Sequence, residues 1–300
     1  MSDASADDLP GGATAGEGAT GEGAGLRSGR RRIAAGLSLR AMVPNAITAA
    51  ALCSGLTGIR FAIAGDFEKS VQAVILAGLL DGIDGRAARL LKAQSRFGAE
   101  LDSLADAISF GVAPALIVYL WTLHALPSLG WISALAFAIC CVLRLARFNA
   151  RLDVDDQPHK SAGFLTGVPA PLGAGLAFLP IYLWIATTRP EFAEPVAVSL
   201  WMVLIAFLMI SNVPTLSWGR LRPPPRMRLF VIALVGLAVA ALLTEPWLTL
   251  VVLTLGYLLL LPYGLAVYRK VRRQASAAPV SEPEEAALQP GPDYEPLGPS

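Results

Sequence analysis

The sequence predicts an all-α fold, a polytopic membrane bundle of about eight transmembrane helices carrying disordered N- and C-terminal tails. Three observations predict it. The 300 residues are 54% hydrophobic and only 16% charged, where a soluble domain carries about 25% charged residues, and the mean hydropathy is +0.56. The apolar residues gather into runs of membrane-spanning length separated by short turns. The charges are segregated along the chain, so the formal net charge of +1 says little.

Residues 1–26 are rich in Gly, Ala, Asp and Glu without apolar periodicity and read as a disordered tail. Residues 27–42 hold Arg27, Arg30, Arg31 and Arg32 and then an amphipathic piece, a basic juxtamembrane segment suited to the membrane surface. The transmembrane domain is expected over 43–273. Its first span runs from Val43 to about Ala64, with Pro44 in the first turn and Asn45 and Thr48 offering polar groups near the membrane surface. Gly65-Asp66 is a turn, and the second span runs from about Phe67 towards Leu91. The third starts near Phe97, Leu126-Pro127-Ser128 turns the chain, and the fourth covers about 130–148. The prolines and glycines from Gly167 to Pro171 predict a broken start to the fifth span, which ends near Thr187. Spans at about 195–213, 229–243 and 246–268 follow, and Pro- and Glu-rich residues 274–300 form the second disordered tail.

Charge sets the orientation. With the N-terminus in the cytosol, the inside segments hold Arg27 to Arg40, Lys92 and Arg96, Arg144 to Lys160, Arg220 to Arg228, and Arg269 to Arg273. The outside turns keep Lys69, Arg189 and Arg60. A multi-pass protein of the cell membrane is expected, with both termini and the hairpin between the second and third spans at the cytoplasmic face.

That hairpin carries the chemistry. Asp81 and Asp84 are three apart and Asp102 and Asp106 four apart, so each pair shares a helix face. Helix capping or pairing with Arg86, Arg89 and Arg96 is the plain alternative, but ionisable groups next to apolar spans are rare and usually functional. Four carboxylates this close do not all stay ionised without cations between them. Oxygen ligands of this kind suit Mg²⁺ or Mn²⁺, and two such ions would bridge the cluster. The cysteines Cys53, Cys140 and Cys141 lie in apolar spans without metal spacing and read as small buried hydrophobes. With His124 and His159 the only histidines, a His-based metal site or triad is not expected.

Asp81, Asp84, Gly85, Ala88, Arg89, Gly98, Asp102 and Asp106 spell D-x2-D-G-x2-A-R-x8-G-x3-D-x3-D. This pattern resembles the signature of the CDP-alcohol phosphatidyltransferase family, with no departure at any fixed position. The resemblance implies transfer of a phosphatidyl group from a CDP-linked lipid to an alcohol, with release of CMP. It implies that Asp81 and Asp102 bridge two divalent ions, that Asp84 completes one site and Asp106 the other, and that Asp106 is the general base. It also implies a CDP-lipid pocket bordered by Asn45, Thr48, Gly85, Ala88, Arg89 and Ser95. In this pocket Gly85 permits close approach of the nucleotide and Arg89 reaches phosphate oxygens.

The acceptor is read from other stretches. PNAITAAALCSGLTG, RLARFNAR, GFLTGVPAPLGAG and SNVPTLSWG are similar, in order and spacing, to the bacterial membrane-integral branch of this family that uses L-serine. Arg144 and Arg147 share a face with Asn149 close by, an arrangement able to receive the serine carboxylate. The same arginines would suit glycerol 3-phosphate or an inositol phosphate, and part of the cluster would serve as a cytoplasmic anchor. The expected partners are therefore CDP-diacylglycerol, L-serine and membrane lipid, with no nucleic acid; the resemblance leans towards a homodimer. A secondary transporter also places carboxylates among broken helices, but the second half of the chain holds no repeat of the motif.

Overall fold

The computed structural model describes residues 39–152, 164–211, 214–216 and 227–260. The tails expected at 1–26 and 274–300, most of the basic segment 27–42 and the end of the last span lie outside the described residues. So do residues 153–163 and the basic residues Arg220, Arg222 and Arg226.

The described chain is helical, as expected, with one small addition. Nine helices run in order: α1 Leu39–Ile63, α2 Phe67–Leu90, α3 Arg96–Trp121, α4 Leu129–Leu152, α5 Ala170–Ala177, α6 Leu179–Thr187, α7 Pro195–Ile210, α8 Arg228–Thr244 and α9 Pro246–Leu260. The addition is a two-stranded antiparallel ladder, β1 Phe164–Thr166 against β2 Pro214–Leu216, with Leu165 opposite Thr215. It ties the start of the α5 segment to the chain just past α7. Gly167, at φ +81°, follows β1 at a point where a Cβ would meet the Met209 carbonyl oxygen at 2.6 Å.

Three of these runs are long and apolar enough to cross a membrane: Met42–Ile63, Arg96–Trp121 and Leu129–Ala150. The bent pair α5 and α6 makes a fourth if it is one span. The expected count of about eight is not confirmed by this measure. The 24-residue α2 carries Asp81, Asp84, Arg86 and Arg89, and α7, α8 and α9 are apolar but shorter.

Two boundaries differ from expectation. Helix α1 starts at Leu39, so Pro44 lies inside it and not in its first turn; the end of the amphipathic segment simply continues into the span. The break in the fifth span falls at Phe178, where α5 and α6 meet at 40°, and not at Gly167–Pro171. Pro180 is the physical reason, because proline lacks the N–H that would bond the carbonyl four residues back. That carbonyl, Leu176 O, accepts instead from Trp201 Nε1 at 2.8 Å.

Helices α1 and α2 form an antiparallel hairpin around Gly65, which takes a φ of +79°. Hydroxyls cross between them: Ser54 donates to Ala73 O and Ser70 to Gly58 O, both at 2.7 Å. Gly58 makes the close approach possible, since a Cβ there would meet Ser70 O at 3.0 Å. Helix α3 contains a π-helical segment, Ala107–Val112, directly after Asp106. Within it Phe110 is buried, and Gly111 sits where a Cβ would be 3.2 Å from that of Cys141 on α4. Phe137, Phe178, Tyr182, Met202 and Ile205 complete the core. Large apolar side chains such as Leu79, Leu200, Phe207 and Leu229 face outward, as a lipid-facing surface requires.

Candidate active site

The site is built where α2 ends and α3 begins. Lys92, with a left-handed φ of 50°, helps reverse the chain after α2. Ser95 then caps α3, its hydroxyl accepting from the Gly98 N–H at 3.0 Å. This cap fixes the phase of α3 and hence the side on which Asp102 and Asp106 emerge.

Asp81 from α2 and Asp102 and Asp106 from α3 each bring a carboxylate oxygen within 4.8 Å of the others. Asp84 lies outside that trio. It is 4% exposed, and Thr48 of α1 donates to its Oδ2 at 2.6 Å. The same hydroxyl lies 3.1 Å from Pro44 O. Among the described residues the one ion pair, Lys69–Asp66 at 2.7 Å, is at the opposite end of α2. Three converging, half-buried carboxylates that make no salt bridge among the described residues fit a hard divalent ion.

The other expected pocket residues divide by environment. Asn45 lies against the start of α3, its Oδ1 placed 3.0 Å from where a Cβ on Gly98 would stand. Such a Cβ on Gly85 would meet no atom of another element within 4 Å among the described residues, so that glycine borders open space. Ala88 is half-buried and Arg89 exposed in the last turn of α2. Ser95 is engaged as the cap of α3.

The three residues expected at the acceptor have different hydrogen-bond partners. Arg144 is buried, at 9% exposed, and its Nε has no hydrogen-bond partner among the described residues. It lies one turn after Cys141 on α4, within electrostatic range of Asp106. Arg147 instead donates from Nη1 to Ile210 O at 3.2 Å, at the end of α7. Asn149 donates to Ser103 Oγ at 2.8 Å, bracing α4 against α3 beside Asp102.

Sequence reasoning missed three features here. The π-helical segment after Asp106 has no spacing signature, although such segments gather at functional sites. Thr48 was expected in the CDP-lipid pocket, not as the partner of Asp84. Tyr257 of α9 lies near Arg144, with a buried hydroxyl that has no hydrogen-bond partner among the described residues. Its position in an otherwise ordinary apolar run gave no signal.

An acidic, metal-fitting centre in a bundle of apolar, membrane-type helices is what a membrane enzyme using metal-assisted chemistry presents. The family model for CDP-alcohol phosphatidyltransferase matches residues 41–213, and that for CDP-alcohol phosphatidyltransferase 2 matches residues 226–262. The chain belongs to the CDP-alcohol phosphatidyltransferase family. Among its relatives is the CDP-diacylglycerol–serine O-phosphatidyltransferase of Mycobacterium leprae, 37% identical over 224 residues that cover 75% of this chain and 74% of that one. The protein of the same name from Mycobacterium tuberculosis is 36% identical over 241 residues, 80% of this chain and 84% of its own. That from Helicobacter pylori is 34% identical over 200 residues, 66% of this chain and 80% of its own.

Proposed function

We propose that the chain transfers the phosphatidyl group of CDP-diacylglycerol to L-serine, giving phosphatidylserine and CMP. The observation that carries this reading is the convergence of Asp81, Asp102 and Asp106 within 4.8 Å; the names of the relatives support serine as the acceptor. The serine hydroxyl oxygen attacks the phosphorus that bears the diacylglycerol. The bond from that phosphorus to the bridging oxygen breaks, and CMP leaves with the electron pair. Asp106 accepts the hydroxyl proton.

Asp81, Asp102 and Asp106 would hold divalent metal, Mg²⁺ or Mn²⁺, and Asp84, held by Thr48, would complete the second of two ion positions. When bound, the ions neutralise the pyrophosphate and stabilise the charge that develops on CMP. Open space beside Gly85 and the exposed guanidinium of Arg89 suit the nucleotide and its phosphates. Asn45, Thr48, Ala88 and Ser95 frame the same pocket. Arg144 takes the serine carboxylate, while Arg147 and Asn149 hold α4 in position through Ile210 and Ser103.

The charge pattern supports eight spans over 43–273, with both termini and the aspartates at the cytoplasmic face of the cell membrane. A homodimer accords with the family. The test is CMP release by the purified protein from CDP-diacylglycerol, with L-serine, glycerol 3-phosphate and inositol offered separately. Stimulation by serine alone is expected. Stimulation by another alcohol keeps the metal site and overturns the acceptor.

A further inference from the structure

Two buried polar groups near the aspartates have no partner among the described residues: Arg144 Nε on α4 and the Tyr257 hydroxyl on α9. Tyr257 lines one cavity with Gly78, three residues before Asp81, and Phe110, four after Asp106, and Arg144 is within electrostatic range of both Tyr257 and Asp106. A guanidinium has only donors, and a buried phenol is satisfied when its O–H donates. Each orphaned group is costly in a dry interior unless a ligand completes it. A carboxylate offers two oxygens and so can accept from both.

Resting on the serine reading above, we infer that Tyr257 is an acceptor-binding residue, its hydroxyl donating to the same carboxylate that Arg144 receives. Its ring also forms part of the wall of an apolar cavity of about 300 Å³, shared with Gly78, Phe110, Leu176 and Tyr182. The residue thus stands between an apolar chamber and the charged centre. The apolar ring walls the acceptor subsite from lipid, while the hydroxyl and Arg144 select an acceptor that carries an anionic group. This selection discriminates serine from an alcohol lacking a carboxylate, because the uncharged alcohol leaves both donors unpaired.

The experiment measures CMP release by the full chain in lipid nanodiscs, varying L-serine and CDP-diacylglycerol separately, for wild type and Tyr257→Phe. A hydrogen bond to a charged group predicts a rise of about tenfold or more in the KM for serine, with the KM for CDP-diacylglycerol unchanged. The preference of the wild type for L-serine over L-serinamide should shrink by a similar factor in Tyr257→Phe. An unchanged serine KM overturns the inference, and so does a rise confined to the KM for CDP-diacylglycerol, which would assign the hydroxyl to the lipid. Wild type inert towards serine but active with another alcohol overturns the acceptor reading itself. The substitution removes only a hydroxyl without a hydrogen-bond partner among the described residues, so the melting temperature should hold; should the variant not fold, competition against serine on wild type tests the carboxylate contact, and equal competition by analogues with and without the carboxylate overturns the inference.

Discussion

Thr48 on α1 donates a 2.6 Å hydrogen bond to Oδ2 of Asp84 on α2, joining two helices through the one aspartate of the motif that stands outside the trio. Asp84 is 4% exposed, so the bond is made away from bulk water. A hydroxyl facing a buried carboxylate does two things. It offsets part of the cost of burying the charge, and it fixes the direction of the second carboxylate oxygen.

Removing that hydroxyl should therefore be felt both in stability and in turnover. Thr48→Val keeps the shape and is expected to cost about 2 kcal/mol of stability and to lower kcat. Thr48→Ser should restore most of both. Thermal melting together with CMP release checks the pair. Wild-type behaviour in Thr48→Val would mean that Asp84 needs no partner.

Two glycines of the motif should respond in opposite ways. A Cβ on Gly98 would stand 3.0 Å from Asn45 Oδ1 and 3.2 Å from Ser95 Oγ, so Gly98→Ala presses on the cap that phases Asp102 and Asp106. A lower melting temperature and a lower kcat are expected together. Gly85→Ala meets no atom of another element within 4 Å among the described residues. It should melt as the wild type does while the KM for CDP-diacylglycerol rises, which steady-state kinetics would detect.

The bend at Phe178 makes a testable thermodynamic cycle. Trp201→Phe leaves Leu176 O without the 2.8 Å bond from Trp201 Nε1, and should cost about 1–3 kcal/mol. In a Pro180→Ala background the N–H of residue 180 becomes available to that carbonyl. Trp201→Phe should then cost less than it does alone. Equal costs in both backgrounds, measured by denaturation, would separate the bend from the tryptophan.

Much of this arrangement was legible in the sequence because it is carried by local periodicity. The four aspartates fall at helical spacing, and the turns at Gly65-Asp66 and Leu126-Pro127-Ser128 punctuate apolar runs, so the hairpins could be read directly. The bend was misplaced because Gly167–Pro171 is the denser cluster of helix breakers, whereas the single Pro180 acts through one lost hydrogen bond. The division of labour among Arg144, Arg147 and Asn149 was not legible. All three are polar residues in the last turns of α4, and only the packing of α3 and α7 decides which of them bonds Ser103, which bonds Ile210 and which is buried without a partner for its Nε among the described residues. Tyr257 comes within electrostatic range of Arg144 from a helix distant in sequence, which leaves no trace in local pattern.

Metal removal should act on the trio as a unit. EDTA is expected to abolish CMP release, and added Mg²⁺ or Mn²⁺ to restore it in wild type. Asp102→Asn removes a charged ligand from the 4.8 Å group and should leave turnover undetectable at any metal concentration, while the melting temperature without metal stays at or above that of wild type, because a repelling charge has been removed. Residual activity at the wild-type level would place the metal elsewhere.

The most direct test of the central claim follows the acceptor into the product. Isotope-labelled L-serine, CDP-diacylglycerol and a divalent ion are incubated with wild type and with Asp102→Asn, and the label in the lipid phase is measured against CMP released. Equimolar label and CMP in wild type, with neither in Asp102→Asn, is the predicted result. CMP released without label in the lipid, or label incorporated equally by both proteins, would contradict it.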